Sequence, residues 1–220
     1  MTHLNSIPTD SAFIVFLIIF FLIGLVRQLE GSRFTIFVRS FTNINLVEQQ
    51  LRQERAFSRL AILLFLLVMT VLAAFIASFF HHIDLFLDFS FIGLFTALLI
   101  SLIIITTARV AIYSLLAWVF NLGILQQHHT FHWLLTNVIL CAIILPLTIA
   151  GVFGPSTTQA FFLNAGLWTL IVFYLFRVLR IGYISSTTFR VPVAYNFLYI
   201  CALEILPLLV TAAVILRQIG

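Results

Sequence analysis

From Leu60 to Phe80 the chain reads LAILLFLLVMTVLAAFIASFF, without one ionisable side chain. At 1.5 Å per residue a helix of this run is roughly 30 Å long, the thickness of a bilayer's hydrocarbon core. Similar, mostly apolar runs occupy residues 12–26, 91–108, 133–153, 161–179 and 196–216. They are continuous rather than alternating, which predicts helices and excludes a barrel. The remaining residues cannot make this a water-soluble domain: 63% of the chain is apolar and 8% charged, against roughly 25% charged in soluble domains. The expected fold is therefore all-α. It is a single polytopic bundle of about six transmembrane spans over residues 1–220, with an amphipathic helical segment in the connection 27–59. The apolar character after residue 108 continues through VAIYSLLAWVF, so the third helix is expected to extend past the bilayer or to be followed by an interfacial one.

The first run is expected to be a retained span and not a cleaved leader. MTHLNSIPTDS carries no Arg or Lys, and no small-x-small site follows the apolar stretch.

Orientation follows from the basic residues. All 11 are arginine, and all but Arg217 fall in the first, third and fifth connections or their flanks. Arg27, Arg33, Arg39, Arg52, Arg55 and Arg59 cluster between the first two spans, Arg109 follows the third, and Arg177, Arg180 and Arg190 flank the fifth. The positive-inside rule places that side in the cytoplasm and both termini outside it. The net charge of +4 then reads as an orientation signal and as contact with anionic lipid, not as nucleic-acid binding.

The first connection is the one long loop. In RFTIFVRSF, Phe34, Phe37, Val38 and Phe41 recur at helical spacing between Arg33 and Arg39, which suits a helix lying in the headgroup layer. Asn45 is placed to cap a following helix, and Glu48 precedes Arg52 by four residues, the favoured order for a helical ion pair. This stretch reads either as a solvated lead-in to the second span or as a docking face for a cytoplasmic partner. Phe37, Glu48 and Arg52 are the candidate docking residues.

Two histidine groups are candidate ligand sets. In HHIDLFLD, His81, Asp84 and Asp88 would share a helical face and offer nitrogen and oxygen to a divalent metal. In QQHHTFHW, His128 and His132 stand one helical turn apart, a spacing open to metal or haem. Neither group carries a full ligand set, and both residue types also suit polar turns at a membrane surface. No cofactor is assigned. Cys141 and Cys201 lie inside apolar runs and read as packing residues.

One acid stands in hydrocarbon text. Glu204 lies in NFLYICALEILPLLVTAAVIL, roughly 12 Å from the helix start at Asn196. An ionised carboxylate at a span's centre costs roughly 2.5 to 3.5 kcal/mol on the insertion scale. Arg177, Tyr174, Thr106, Thr107 and Arg109 fall in the same inner half of their spans and are candidate members of one polar layer. Pro207 and Pro146 lie inside spans and predict kinks, since each removes a backbone donor. CAIILPLT and CALEILPLL hint at a weak parallel repeat. Glu204 is either a hydrogen-bonding group that fixes helix packing or a carboxyl that exchanges a proton or binds a cation.

The ending LYICALEILPLLV, with Tyr199, Cys201, Glu204 and Pro207, resembles a family of Bacteroidota inner-membrane proteins known only as a domain of unknown function. The resemblance covers most of the chain after the first helix. It implies a Gram-negative inner membrane and supplies no catalytic residue. Nucleophile elbow, phosphate loop and HExxH motifs are absent from the sequence. The expected function is non-enzymatic: an accessory or scaffold subunit of an envelope membrane complex, in contact with membrane lipids and with membrane-protein partners or further copies of itself as a homo-oligomer. The alternative is a small proton-coupled secondary transporter that uses Glu204 beside a proline kink.

Overall fold

A computed structural model describes residues 9–39, 59–83, 90–119 and 123–188. These residues form five helices and no strand: α1 Thr9–Arg39, α2 Arg59–His82, α3 Phe91–Val119, α4 Gly123–Phe153 and α5 Ser156–Thr188. All five are long and apolar enough to cross a membrane. The sixth expected span, 196–216, lies outside the described residues. The chain groups into two compact units, Met1–Ile171 and Val172–Gly220.

In the first unit α2 is the central element and packs against α1, α3 and α4. Its sequence explains the position. Ala73, Ala74, Ala77 and Ser78 let neighbouring backbones come close, and all four are buried. Around them Val68, Met69, Val71 and Phe75 are also buried, so the middle of α2 meets protein on every side.

α1 shows the opposite pattern. Ala12, Val15, Phe16, Ile19 and Val26 form a buried stripe at the spacing of one helix face. Phe13, Ile14, Leu17, Ile18, Phe20 and Phe21 cover the other face and are exposed. A helix in water would place polar residues there; an exposed face as apolar as the buried one suits lipid.

The helices are longer than the apolar runs, and most of the extra length lies at one end. α1 does not stop near Val26 but continues unbroken for 31 residues to Arg39. The separate headgroup-layer helix expected over 33–41 is, up to Arg39, the continuation of α1. α4 begins ten residues before Trp133, so His128 and His132 stand on helix and not in a polar turn. α5 runs on to Thr188. The reason is that hydropathy marks where a helix enters lipid, whereas its hydrogen-bond ladder ends only at a breaker. The stretches RQLEGSRFTIFVR and GILQQHHTFH contain no proline.

The opposite ends do carry breakers. Ser90 caps α3, its Oγ accepting the Gly93 N–H at 3.1 Å. Gly154 and Pro155 separate α4 from α5, with the Gly154 N–H closing on the Ala150 carbonyl at 3.0 Å. A side chain at Gly154 would collide with that carbonyl. Pro146 lies inside α4, which passes through it and ends at Phe153; its ring faces outward, on an exposed part of the helix.

Candidate functional site

In the first unit the candidate polar groups lie on α3 and α4. On α3, Thr106 is buried and its hydroxyl meets the Met69 sulfur of α2 at 3.8 Å. Thr107 is exposed and returns its hydroxyl to the Ile103 carbonyl of its own helix. Arg109 donates from Nε and Nη2 to the Tyr113 hydroxyl, at 3.3 and 3.0 Å. Its guanidinium also lies 5.3 Å from the Tyr113 ring centre, within range of a cation–π contact. Tyr113 itself is buried. Each of the three thus has a partner of its own among the described residues, while Glu204, the centre of the expected polar layer, lies outside them.

On α4 the stretch 132–141 is buried almost all round and carries His132, Thr136, Asn137 and Cys141. Thr136 donates to the His132 carbonyl at 2.8 Å, and Asn137 Nδ2 donates to the Trp133 carbonyl at 2.7 Å. Both satisfy themselves on the preceding turn. Cys141 reaches across instead, its thiol 3.8 Å from the Val68 carbonyl of α2. A free, buried thiol in this contact is a packing group, as expected from the sequence. Trp133 of α4 and Phe65 of α2 meet with ring centres 6.2 Å apart and planes tilted by 41°.

In the second unit, Tyr174 and Arg177 stand three residues apart on α5 and so share a face. Arg177 is buried and Tyr174 half-buried. Glu204 and Pro207, their expected companions, lie outside the described residues, as do Tyr199 and Cys201.

The two histidine groups fall only in part among the described residues. The His81 ring meets the Phe91 ring edge-on at 6.3 Å, an aromatic contact between α2 and α3. Asp84 and Asp88 lie outside the described residues. His132 is buried in α4, while His128 falls on α4 with its side chain outside the description. Among the described residues no three metal-ligating side chains gather. Phe37 falls on the α1 backbone, its side chain likewise undescribed, and Glu48 and Arg52 lie outside the described residues.

Sequence reasoning missed two kinds of residue. Tyr113 was legible in principle, since it follows Arg109 by one helical turn. Thr136 and Asn137 were not, because nothing in their spacing separates a buried face from a lipid-facing one on an apolar helix.

A family model described as a domain of unknown function, DUF4271, matches residues 12–215. No curated protein and no solved structure matches the chain.

Proposed function

The chain belongs to the DUF4271 family, a domain of unknown function, and on that premise we propose that it is a non-enzymatic multi-pass protein of the bacterial inner membrane. It serves as an accessory or scaffold subunit of an envelope complex, with its arginine-bearing helix ends in the cytoplasm and its termini outside.

One observation carries this reading. The described hydroxyl and amide groups inside the spans mostly bond within their own helix. Thr70 donates to Leu66, Ser78 to Ala74, Thr136 to His132, Asn137 to Trp133, Thr148 to Ile144 and Thr169 to Ala165. A solute pathway needs polar groups turned toward a shared cavity. Groups spent on their own backbone favour fixed packing instead.

Purification of the full-length protein from native membranes under mild detergent tests the proposal. A scaffold brings down one or more membrane proteins in constant ratio, and Glu204→Gln leaves that ratio unchanged. Proton-driven solute uptake by the protein alone in liposomes, lost in Glu204→Gln, would replace the scaffold reading with the transporter.

A further inference from the structure

One stripe runs along α1 from its buried half to its far end. Ala12, Phe16, Ile19 and Val26 are buried and recur at the spacing of one helix face. Glu30, Phe34 and Phe37 continue that series from Val26 at steps of four, four and three residues, with Val38 beside them. The helix is unbroken to Arg39, so by register these residues fall on the face that α1 turns to its neighbours. It packs more extensively against α2 than against α3 or α4.

The stripe leaves the bilayer before it ends. The apolar span of α1 is Thr9–Leu29, roughly the 30 Å of a hydrocarbon core. Past the far edge of that core, Phe34 stands roughly 8 Å out and Phe37 roughly 12 Å. A headgroup layer is roughly 5–7 Å thick, so lipid does not cover Phe37. α2 starts back across the bilayer at Arg59. Residues 40–58 join the two ends and contain neither proline nor glycine, so they carry no helix breaker against a backward continuation of α2. A helix over 46–58 is about 20 Å long, against about 15 Å for the part of α1 beyond Leu29. The two lengths match once the stretch 40–45, with Asn43 and Asn45, makes the turn. The sequence of this arm is two-sided at helical period. Leu46, Val47, Leu51 and Phe57 share one face, with Gln50 and Glu54 among them, and Glu48, Arg52 and Arg55 share the other.

We propose that residues 46–58 form a helix seated on the Phe34–Phe37–Val38 stripe of α1, so that α1 and α2 continue past the bilayer as an antiparallel helical hairpin. Val47 and Leu51 meet Phe37 and Phe34 and take them out of water, and that burial holds the arm against α1. The face with Glu48, Arg52 and Arg55 is then the one that the connection presents to solvent. Of the three candidate docking residues, Phe37 is spent within the chain, while Glu48 and Arg52 remain for a partner. The hairpin does not depend on the scaffold role or on which side of the membrane this end faces.

The test uses the full-length chain in membranes, with Cys141→Ala and Cys201→Ala as background. Phe34→Cys is combined in turn with a single cysteine at each position from Leu46 to Phe57, and each variant is oxidised with copper phenanthroline. Disulfides within one chain are expected to form fastest at one or two of Val47, Gln50, Leu51 and Glu54. They are expected to form roughly tenfold more slowly at Glu48, Arg52 and Arg55, whose Cβ vectors point away from α1. Equal rates all round the arm, or links only between two chains, overturn the proposal. A second measurement leaves the stripe on α1 intact. Nitroxide labels placed singly at the same positions are probed with a water-soluble nickel chelate and with oxygen, which concentrates in lipid. Labels at Val47 and Leu51 are expected to be shielded from both, and labels at Glu48, Arg52 and Arg55 to be open to the chelate. A Val47–Leu51 face open to oxygen lays the segment on the bilayer, and one open to the chelate leaves it in water; either result overturns the hairpin.

Discussion

Phe75 occupies the space a side chain at position 166 would need. A Cβ added to Gly166 would stand 2.5 Å from Phe75 Cε2 and 3.0 Å from Cζ. Phe75 has little room to withdraw: it is 1% exposed, and its ring neighbours Phe79 at 6.3 Å. The glycine on α5 is thus a notch that receives a ring from α2, the close approach that membrane helices achieve with small residues.

Gly166→Ala is therefore expected to destabilise the protein by about 1–3 kcal/mol, the usual range for overpacking. Phe75→Leu alone is also expected to destabilise, yet combined with Gly166→Ala it restores part of the loss. A double-mutant cycle on thermal unfolding in a fixed detergent reads the coupling. Additive effects would mean that the two residues do not share this space.

A similar notch joins α4 to α5, where a Cβ on Gly151 would meet the Leu163 side chain at 2.8 Å. Leu163 is wholly buried. Gly151→Val is expected to lower stability by about 1–3 kcal/mol, and Leu163→Ala is expected to relieve it. Equal stability of Gly151→Val and wild type would contradict the contact.

Tyr113→Phe removes the oxygen that accepts two N–H groups from Arg109 but keeps the ring beneath the guanidinium. The expected loss is about 0.5–1.5 kcal/mol, that of a modest hydrogen bond. Tyr113→Leu also removes the ring contact and should lose more. If both variants unfold at the wild-type temperature, Arg109 does not depend on Tyr113.

The length of α1 separates two descriptions of the first connection. A straight helix places Phe13 and Arg39 about 39 Å apart, from 26 residues at 1.5 Å each. A chain that turned at Arg27 to lie along the headgroups would bring them below about 30 Å. Spin labels at these two positions, measured by pulsed dipolar spectroscopy in nanodiscs, are expected to report the longer distance.

Cys141 is 5% exposed, with its thiol against the Val68 carbonyl. In a Cys201→Ala background the folded protein is expected to resist a membrane-permeant maleimide and to react fully once denatured. Rapid labelling of the folded chain would show that α2 and α4 do not close over this thiol.

The amino-acid sequence determined the class of structure by itself. Runs such as Leu60–Phe80 are too long and too apolar for water, and the helix is the backbone form that satisfies its own hydrogen bonds in lipid. It also marked Cys141 as a packing residue and placed His128 and His132 one helical turn apart. It left open which face of each helix meets protein. On a soluble helix polar residues mark the outer face; on α1 both faces are apolar, so the stripe of Ala12, Val15, Phe16 and Ile19 emerges only from packing. The same ambiguity hid the central position of α2, the seat of Phe75 on Gly166, and the difference between Asn137, bonded to its own helix, and Asn164, exposed on α5. Apolar composition decides that a helix enters the bilayer. Only the contacts among helices decide which side of it lipid touches.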